Sequence, residues 1–327
     1  GLSGNACSFR TFVSMGLRDW VTITFAWLAV ADSFFLMAVV VISFAYFVAA
    51  IEQWNSGSGF MFPADPFAVG IFFVNCGGGP YTLTMLTTTF IALARCMGVV
   101  KPLTFRHSFS RMRTVAILST FSVLSLLSVI PILIFMDLKR REGPAANSTR
   151  LFLWLSQDRK QVKDILWPIR DAFLPLSAQV ILLLCVYFMA GSLHESSRFR
   201  RADTRQSKHL PANAPSHTRD SLKADGLQGR DAQKTSNPTF HLSGKELKVI
   251  QQMLFISSIF IVCNTPKIVL NLTELCFPEF NIADDLQGVY YTMVNIRDFF
   301  QTVNSSVNIF IYYHYSSKFR QHFKELF

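Results

Sequence analysis

Residues 20–50 read WVTITFAWLAVADSFFLMAVVVISFAYFVAA, and this stretch gives the clearest indication of the fold class. Among these residues only Asp32 carries a charge. A bilayer core of roughly 30 Å is crossed by about 20 mostly apolar residues of α-helix. The stretch is therefore predicted to span a membrane as a helix.

Five further apolar runs follow, at residues 67–94, 114–136, 165–190, 249–276 and 287–313. Buried helices of soluble proteins are also apolar all round, but globular helices average about a dozen residues, so six runs of this length favour a membrane bundle. Residues 1–15 look like the inner half of an earlier helix that begins before Gly1. The predicted fold is all-α: a seven-transmembrane helix bundle over residues 1–315, with its first helix partial.

The composition points to the same class of protein. Half of the 327 residues are hydrophobic and 16% are charged, against about 25% charged residues in soluble proteins. The net charge of +10 is compatible with nucleic-acid binding, but the positive residues lie in loops between apolar runs. The expected partner is therefore a lipid bilayer and not a nucleic acid. The six cysteines show no CxxC spacing, so no metal site or bound cofactor is predicted.

Lysine and arginine mark the cytoplasmic side of a membrane protein. Residues 191–248 hold eleven Lys and Arg against six Asp and Glu, and residues 196–245 are predicted to be a disordered cytoplasmic loop. The loop after the third run and the C-terminal segment 316–327 share this side, through Arg95, Lys101, Arg106, Arg111, Arg113, Lys318, Arg320 and Lys324.

The opposite loops carry mixed charge and two glycosylation acceptor motifs. Residues 137–164 hold seven Lys and Arg and four Asp and Glu, which is net +3. Asn147, in Asn147-Ser148-Thr149, fits an outside loop, and Asn271-Leu272-Thr273 is a second acceptor near the outer end of its run. These features predict a multi-pass glycoprotein of the plasma membrane.

Six short motifs lie in order along these helices. They are Gly4-Asn5, Leu28-Ala29-Val30-Ala31-Asp32, Arg95 with Pro102-Leu103, Cys263-Asn264-Thr265-Pro266, the stretch 304–312 (NSSVNIFIY) and Ser317-Lys318-Phe319-Arg320. Over nearly the whole chain, this order resembles rhodopsin-like (class A) G-protein-coupled receptors. The resemblance implies an amphipathic eighth helix over 316–327, suited to the membrane surface.

The resemblance implies a polar network in the middle of the bundle. A carboxylate inside a membrane span is costly, so Asp32 needs a partner or a function. It would face Asn5, Asn304 and Asn308 and hold a sodium ion. The alternative is a protonated aspartate with a structural role.

The resemblance also implies a switch at the inner end. Arg95 would contact a heterotrimeric G protein, although the acid that normally restrains it at rest is Ala94 here. Glu246 precedes Pro266 by twenty residues, or roughly 30 Å of helix, so we expect an Arg95–Glu246 pair; a solvated glutamate is the alternative. Pro266 is expected to act as the hinge, and Tyr312 belongs to the same switch.

Ligands of such receptors bind in the outer half of the bundle. There the expected ligand-binding residues are Tyr81, Asp171, Asn264, Lys267 and Asp298, although the ionisable ones among them could instead pair with one another or face headgroups. Amine receptors carry an aspartate at the position of Gly77, so a biogenic amine is not expected. Lys267 and the basic outer loop favour a ligand with an acidic group.

Several positions depart from the family pattern. The usual disulfide is not expected, because Gly70 takes the third-helix position and residues 137–164 contain no cysteine. A Cys76–Cys276 bond is the open alternative. Residues 77–80, Gly-Gly-Gly-Pro, are predicted to weaken the third helix, and Ile309 replaces a motif proline.

These departures indicate a divergent invertebrate branch. The stretches 89–96, 99–103 and 278–280 look like molluscan chemosensory receptors, and some invertebrate neuropeptide receptors share them. A non-coupling receptor-like protein stays open as well. An enzyme or transporter is disfavoured, because no internal repeat is seen and the histidines all fall at predicted inner positions: His107, His194, His209, His217, His241, His314 and His322.

Overall fold

The computed structural model describes residues 1–55, 57, 61–100, 109–142, 149–156, 158–208, 244–277, 280 and 286–327. In chain order the elements are α1 (Leu2–Ser14), α2 (Trp20–Trp54), α3 (Pro66–Val100), α4 (Arg111–Leu127), α5 (Ile130–Ile134), β1 (Met136–Glu142), β2 (Thr149–Leu155), α6 (Asp158–Trp167), a π-helix (Pro168–Phe173), α7 (Leu174–Lys208), α8 (Gly244–Cys276), α9 (Gln287–Tyr315) and α10 (Ser317–Leu326).

All six predicted runs coincide with helices. Within the described ranges, five helical stretches are long and apolar enough to cross a membrane: Trp20–Trp54, Pro66–Val100, Arg111–Ile134, Asp164–His194 and Leu247–Cys276. The sixth run forms α9, which is 29 residues long but more polar. Its polar side chains are turned inward, since Gln301, Asn304, Ser305 and Asn308 are buried.

The surface of the bundle is apolar, as a lipid-facing surface must be. On α2, Phe34, Phe44 and Phe47 are each more than half exposed, whereas Asp32 on the same helix is fully buried. Such an arrangement is the reverse of a soluble helix, which exposes its charges and buries its aromatic side chains. The predicted all-α membrane bundle is confirmed.

Helix α3 lies at the centre of the bundle and contacts α2, α4, α7 and α8. It runs unbroken through Pro80, so the predicted weakening at residues 77–80 is not seen. The glycines permit close approach of neighbouring helices instead. A Cβ on Gly77 would lie 3.4 Å from Ala38, and one on Gly79 would lie 3.3 Å from Val129.

A β-hairpin that the sequence did not predict covers the outer end of the bundle. Strands β1 and β2 pair antiparallel, with Met136 opposite Leu155 and Glu142 opposite Thr149. The amide of Leu151 donates to the carbonyl of Pro63, at 3.0 Å, and the amide of Asp65 donates to the carbonyl of Leu151, at 2.9 Å. The hairpin is thus joined to the chain just before α3.

An ion-pair cluster, which we call the outer clamp, holds the same hairpin. The guanidinium of Arg150 donates to the carboxylate of Glu52, at 3.0 Å, and to that of Asp65, at 3.3 Å. All six cysteines are free, so the Cys76–Cys276 bond is not formed. In the place of a disulfide, ion pairs and backbone hydrogen bonds tie the hairpin to α2 and to the chain just before α3.

The predicted cytoplasmic loop 196–245 overlaps the ends of two helices. Helix α7 continues to Lys208, and α8 begins at Gly244. Residues 209–243 lie outside the described residues, and so does Asn147.

Candidate functional site

A buried ion-pair cluster lies where α3, the π-helix and α8 meet. The carboxylate of Asp171 forms an ion pair with the ammonium of Lys267, at 3.1 Å, and accepts a hydrogen bond from the Nε of Arg170, at 2.8 Å. Arg170 also donates to the carbonyl of Ser128, at 3.4 Å. Lys267 and Asp171 are both buried, so the structure brings these two predicted residues together as a pair.

The cluster continues into a chain of polar contacts across the bundle. The ammonium of Lys267 lies 4.9 Å from the ring centre of Tyr81, whose hydroxyl donates to Asn264, at 3.1 Å. The amide of Asn264 faces Gln179 of α7, at 3.5 Å. Three helices are therefore connected through side chains that the bilayer cannot solvate, and the sequence did not single out Gln179.

Asp298 stands apart from this cluster. It pairs with its neighbour Arg297, at 2.8 Å, and its side chain is 44% exposed. The charge of Arg297 nevertheless acts on both Lys267 and Asp171. Arg170 and Lys267 thus share the single carboxylate of Asp171, whereas Arg297 pairs with Asp298.

The second predicted glycosylation acceptor lies inside the bundle. Asn271 is buried, and its amide donates to the backbone carbonyl of Asp171. A glycosylated asparagine must be exposed, so this prediction is wrong for the folded chain. Asn271 instead joins α8 to the π-helix through this hydrogen bond.

Asp32 is fully buried and holds two hydrogen bonds. It accepts from the hydroxyl of Thr84, at 2.8 Å, and from the amide of Asn308, at 2.9 Å. The hydroxyl of Ser305 lies near this carboxylate and makes no hydrogen bond of its own among the described residues. Thr84 and Ser305 were not predicted, because threonine and serine are common in such helices.

The other two predicted members of this network lie on its edge. The amide of Asn5 donates to the backbone carbonyl of Ser305, at 2.8 Å, so it ties α1 to α9. Asn304 is buried on the same helix. The group at Asp32 therefore connects α1, α2, α3 and α9.

Helix α8 contains Pro266 and remains helical around it. A proline removes one backbone donor and crowds the preceding turn. Near this point the carbonyl of Ile261 accepts from the side chains of Gln179, at 3.1 Å, and Thr265, at 2.7 Å. The turn before Pro266 thus accepts hydrogen bonds from two side chains, one of which belongs to another helix.

Tyr312 lies in an aromatic cluster at the inner end of the bundle. Its ring centre is 4.8 Å from that of Phe25, 5.1 Å from that of Phe12 and 5.7 Å from that of Phe319. The cluster packs α9 and the amphipathic α10 against α1 and α2. The hydroxyl of Tyr312 is buried without a hydrogen-bond partner among the residues described.

Arg95 lies near the inner end of α3 and faces an indole ring. Its guanidinium carbon is 4.7 Å from the ring centre of Trp20. Glu246 lies in the first turn of α8, but its side chain is outside the part of the structure that is described. The Arg95–Glu246 pair therefore stays a prediction, and the contact with Trp20 was not foreseen.

The comparison with known families agrees with this arrangement. Residues 11–312 match the family described as 7 transmembrane receptor (rhodopsin family). The match includes Asp32, Arg95 and the Asp171–Lys267 cluster, and it ends at Tyr312 in α9. The chain therefore belongs to the rhodopsin family of seven-transmembrane receptors, and it is a multi-pass receptor of the plasma membrane and not an enzyme.

Proposed function

We propose that this receptor binds an extracellular ligand in the outer half of its bundle and activates a heterotrimeric G protein. The ligand would contact Tyr81, Asp171, Asn264, Lys267 and Asp298. Arg95, Glu246, Pro266 and Tyr312 would form the coupling switch at the inner end, beside a cytoplasmic loop over 196–245. The observation that carries this proposal is the buried Asp171–Lys267 cluster, because ionisable groups inside a membrane bundle are retained where they serve a function.

The cluster suits a ligand with an acidic group. Arg170 and Lys267 share the one carboxylate of Asp171, and an anionic ligand would balance the second cation of this group. Gly78 packs against Arg170, since an added Cβ there would be in van der Waals contact with the guanidinium, at 3.6 Å. A bound carboxylate would compete with Asp171 for these cations, and this exchange links ligand binding to α8.

A library of amino acids and short peptides, each with its matched C-terminal amide, tests this assignment. The receptor would be expressed with a promiscuous G protein and screened for calcium signals. Agonists should lose activity on amidation, and Lys267→Ala should weaken them far more than Lys267→Arg. Equal effects of the two substitutions, with equal receptor at the cell surface, would count against an acidic ligand.

The same screen separates two kinds of ligand. We propose a chemosensory role, in which the ligand is a small chemical cue, because residues 89–96, 99–103 and 278–280 look like chemosensory receptors of molluscs. A neuropeptide receptor is the alternative. Activation by single amino acids supports the first, whereas activation by peptides alone supports the second.

The Asp32 network has the oxygen donors that a sodium ion requires. The carboxylate of Asp32 and the hydroxyls of Thr84 and Ser305 would hold the ion, and the Ser305 hydroxyl has no hydrogen-bond partner among the described residues. A bound sodium ion would neutralise Asp32 and stabilise the resting arrangement of α2, α3 and α9. Asp32→Asn should then abolish any effect of sodium on the thermal stability of the purified receptor.

A receptor-like protein that no longer couples is a second candidate function. Ala94 and Ile309 favour it, because both replace residues of the family's signalling motifs. Nucleotide exchange on purified G proteins decides between the two. Exchange stimulated by an agonist supports a coupling receptor, and ligand binding without exchange supports the second candidate.

A further inference from the structure

The inner end of α3 holds a buried cation, Arg95, that has no carboxylate within ion-pair distance in the part of the chain that the structure describes. Arg95 takes part in none of the ion pairs between described residues. Its Nε atom is buried and makes no hydrogen bond within that part of the chain. The preceding residue is Ala94, which is fully buried and apolar. Among the described residues, the guanidinium lies over the ring of Trp20, with its carbon 4.7 Å from the ring centre.

Trp20 is held in place by its own surroundings. It is the first residue of α2, and the Asp19 side chain caps that helix by accepting from the amide of Thr22, at 3.3 Å, and from its hydroxyl, at 2.8 Å. The indole ring lies 5.5 Å from the ring of Phe109, which in turn lies 5.8 Å from Phe90 of α3. The ring thus belongs to an aromatic platform built from three parts of the chain.

The charge of Asp19 adds to this platform. Its carboxylate is close enough to act on Arg95 electrostatically, although its oxygens are engaged in capping α2. A tryptophan face attracts cations more strongly than the other aromatic side chains, and Arg is the commonest partner. The start of α2 therefore offers Arg95 both a ring and a nearby negative charge.

We propose that Trp20 is a positioning residue that holds Arg95 in the resting receptor. We call this contact the inner latch. It would restrain Arg95 against α2, in a chain whose Ala94 offers it no charge, and it would release Arg95 when α8 moves and opens the inner face. The consequence for signalling rests on the proposed coupling to a G protein, whereas the latch itself does not.

The test compares substitutions at two tryptophans of α2. Trp20→Leu removes the ring, and Trp20→Phe keeps a weaker one in case the first variant folds poorly. Trp27→Leu is the matched control, because the Trp27 indole donates to Ser122, at 3.2 Å, and the cation–π contact of Arg95 among the described residues is with Trp20 and not with Trp27. The amount of folded receptor at the cell surface normalises every result.

Two readouts are made on purified full-length chains in lipid nanodiscs. The first is nucleotide exchange on a G protein without agonist. The second is the spectrum of a fluorinated tag on Lys248→Cys, an exposed position near the inner end of α8, in a Cys276→Ser background. Because the tag reports helix position without any G protein, it separates failure of the latch from failure of coupling.

We expect Trp20→Leu to raise two quantities by about fivefold: the population of the open state, as reported by the tag, and the basal rate of nucleotide exchange. Trp20→Phe should raise both by less. A shift of the tag without any exchange would support the latch and overturn the proposed coupling. An unchanged tag spectrum in Trp20→Leu, or an equal shift in Trp27→Leu, would overturn the latch.

Discussion

Arg150 and Arg95 lie at opposite ends of the bundle and are held in different ways. Outside, Arg150 lies between the carboxylates of Glu52 and Asp65 in the outer clamp. Inside, Arg95 lies over the ring of Trp20 in the inner latch. Neither end has the usual family device, since the structure has no disulfide outside and Ala94 replaces the acid inside.

The difference in chemistry gives a difference in strength. Removing one partner of a buried ion pair costs about 3–5 kcal/mol, and a cation–π contact contributes about 0.5–2 kcal/mol. The side chain of Arg150 is 11% exposed and has two partners, so the clamp lies toward the stronger limit. A strong contact suits a lid that stays in place, whereas a weak contact suits a residue that must be released.

The largest loss of stability is expected on substitution of Asp171. This loss should set the upper limit for what an ion pair contributes on the outer side of the bundle. Asp171→Asn leaves Arg170 and Lys267 buried without their shared carboxylate, so it should lower the free energy of unfolding by about 4 kcal/mol. Thermal unfolding in detergent measures this loss. Asp298→Asn is the control and should cost under about 1 kcal/mol, because Asp298 is 44% exposed. Equal losses of stability in the two variants would show that burial does not determine how much an ion pair contributes.

The outer clamp should come next in size. Arg150→Ala leaves two carboxylates facing each other, so we expect a loss of about 2–3 kcal/mol and faster hydrogen exchange in β1 and β2. Arg140→Ala is the matched control, since Arg140 is an exposed arginine on the facing strand. If both variants unfold alike, charge pairing does not hold the hairpin.

The inner latch should contribute less to stability than the outer clamp. Trp20→Leu is expected to lower the free energy of unfolding by about 1 kcal/mol, measured by the same thermal assay. The value for Trp27→Leu corrects for the loss of an indole ring from α2. A loss at Trp20 that exceeds that of Arg150→Ala would reverse the proposed order of the two ends.

The smallest effect is expected from salt. Raising N-methylglucamine chloride from about 0.1 M to 1 M shortens the Debye length from about 10 Å to 3 Å without adding sodium. Protection of the hairpin amides should fall about twofold, since Arg150 retains partial exposure. Arg150→Ala should show no such dependence, and a dependence equal to that of the unsubstituted receptor would exclude the ion pairs as its source.

The helices could be predicted because a membrane span is set by local composition. The span at residues 20–50 could be predicted without knowing which other residues it contacts, and the other five runs were found in the same way. The motifs then placed Asp32, Arg95 and Pro266 on their helices. The sequence also put Asp171 and Lys267 in one region, but it left open whether they pair.

The remaining contacts join residues that are far apart in the chain. The hairpin depends on the pairing of β1 with β2, and Arg150 meets Glu52 across 98 residues. Trp20 meets Arg95 only because α2 and α3 pack side by side. Such pairs leave no periodic pattern in the sequence, so they required the three-dimensional structure.

The most direct test of the central claim is one experiment on two variants with two reporters. Hydrogen exchange of β2 reports the outer end, and a fluorinated tag on Lys248→Cys reports the inner end. Arg150→Ala should speed exchange in β2 and leave the tag unchanged, whereas Trp20→Leu should shift the tag and leave β2 protected. A change at both ends in either variant would contradict the claim that the two ends are held by separate contacts.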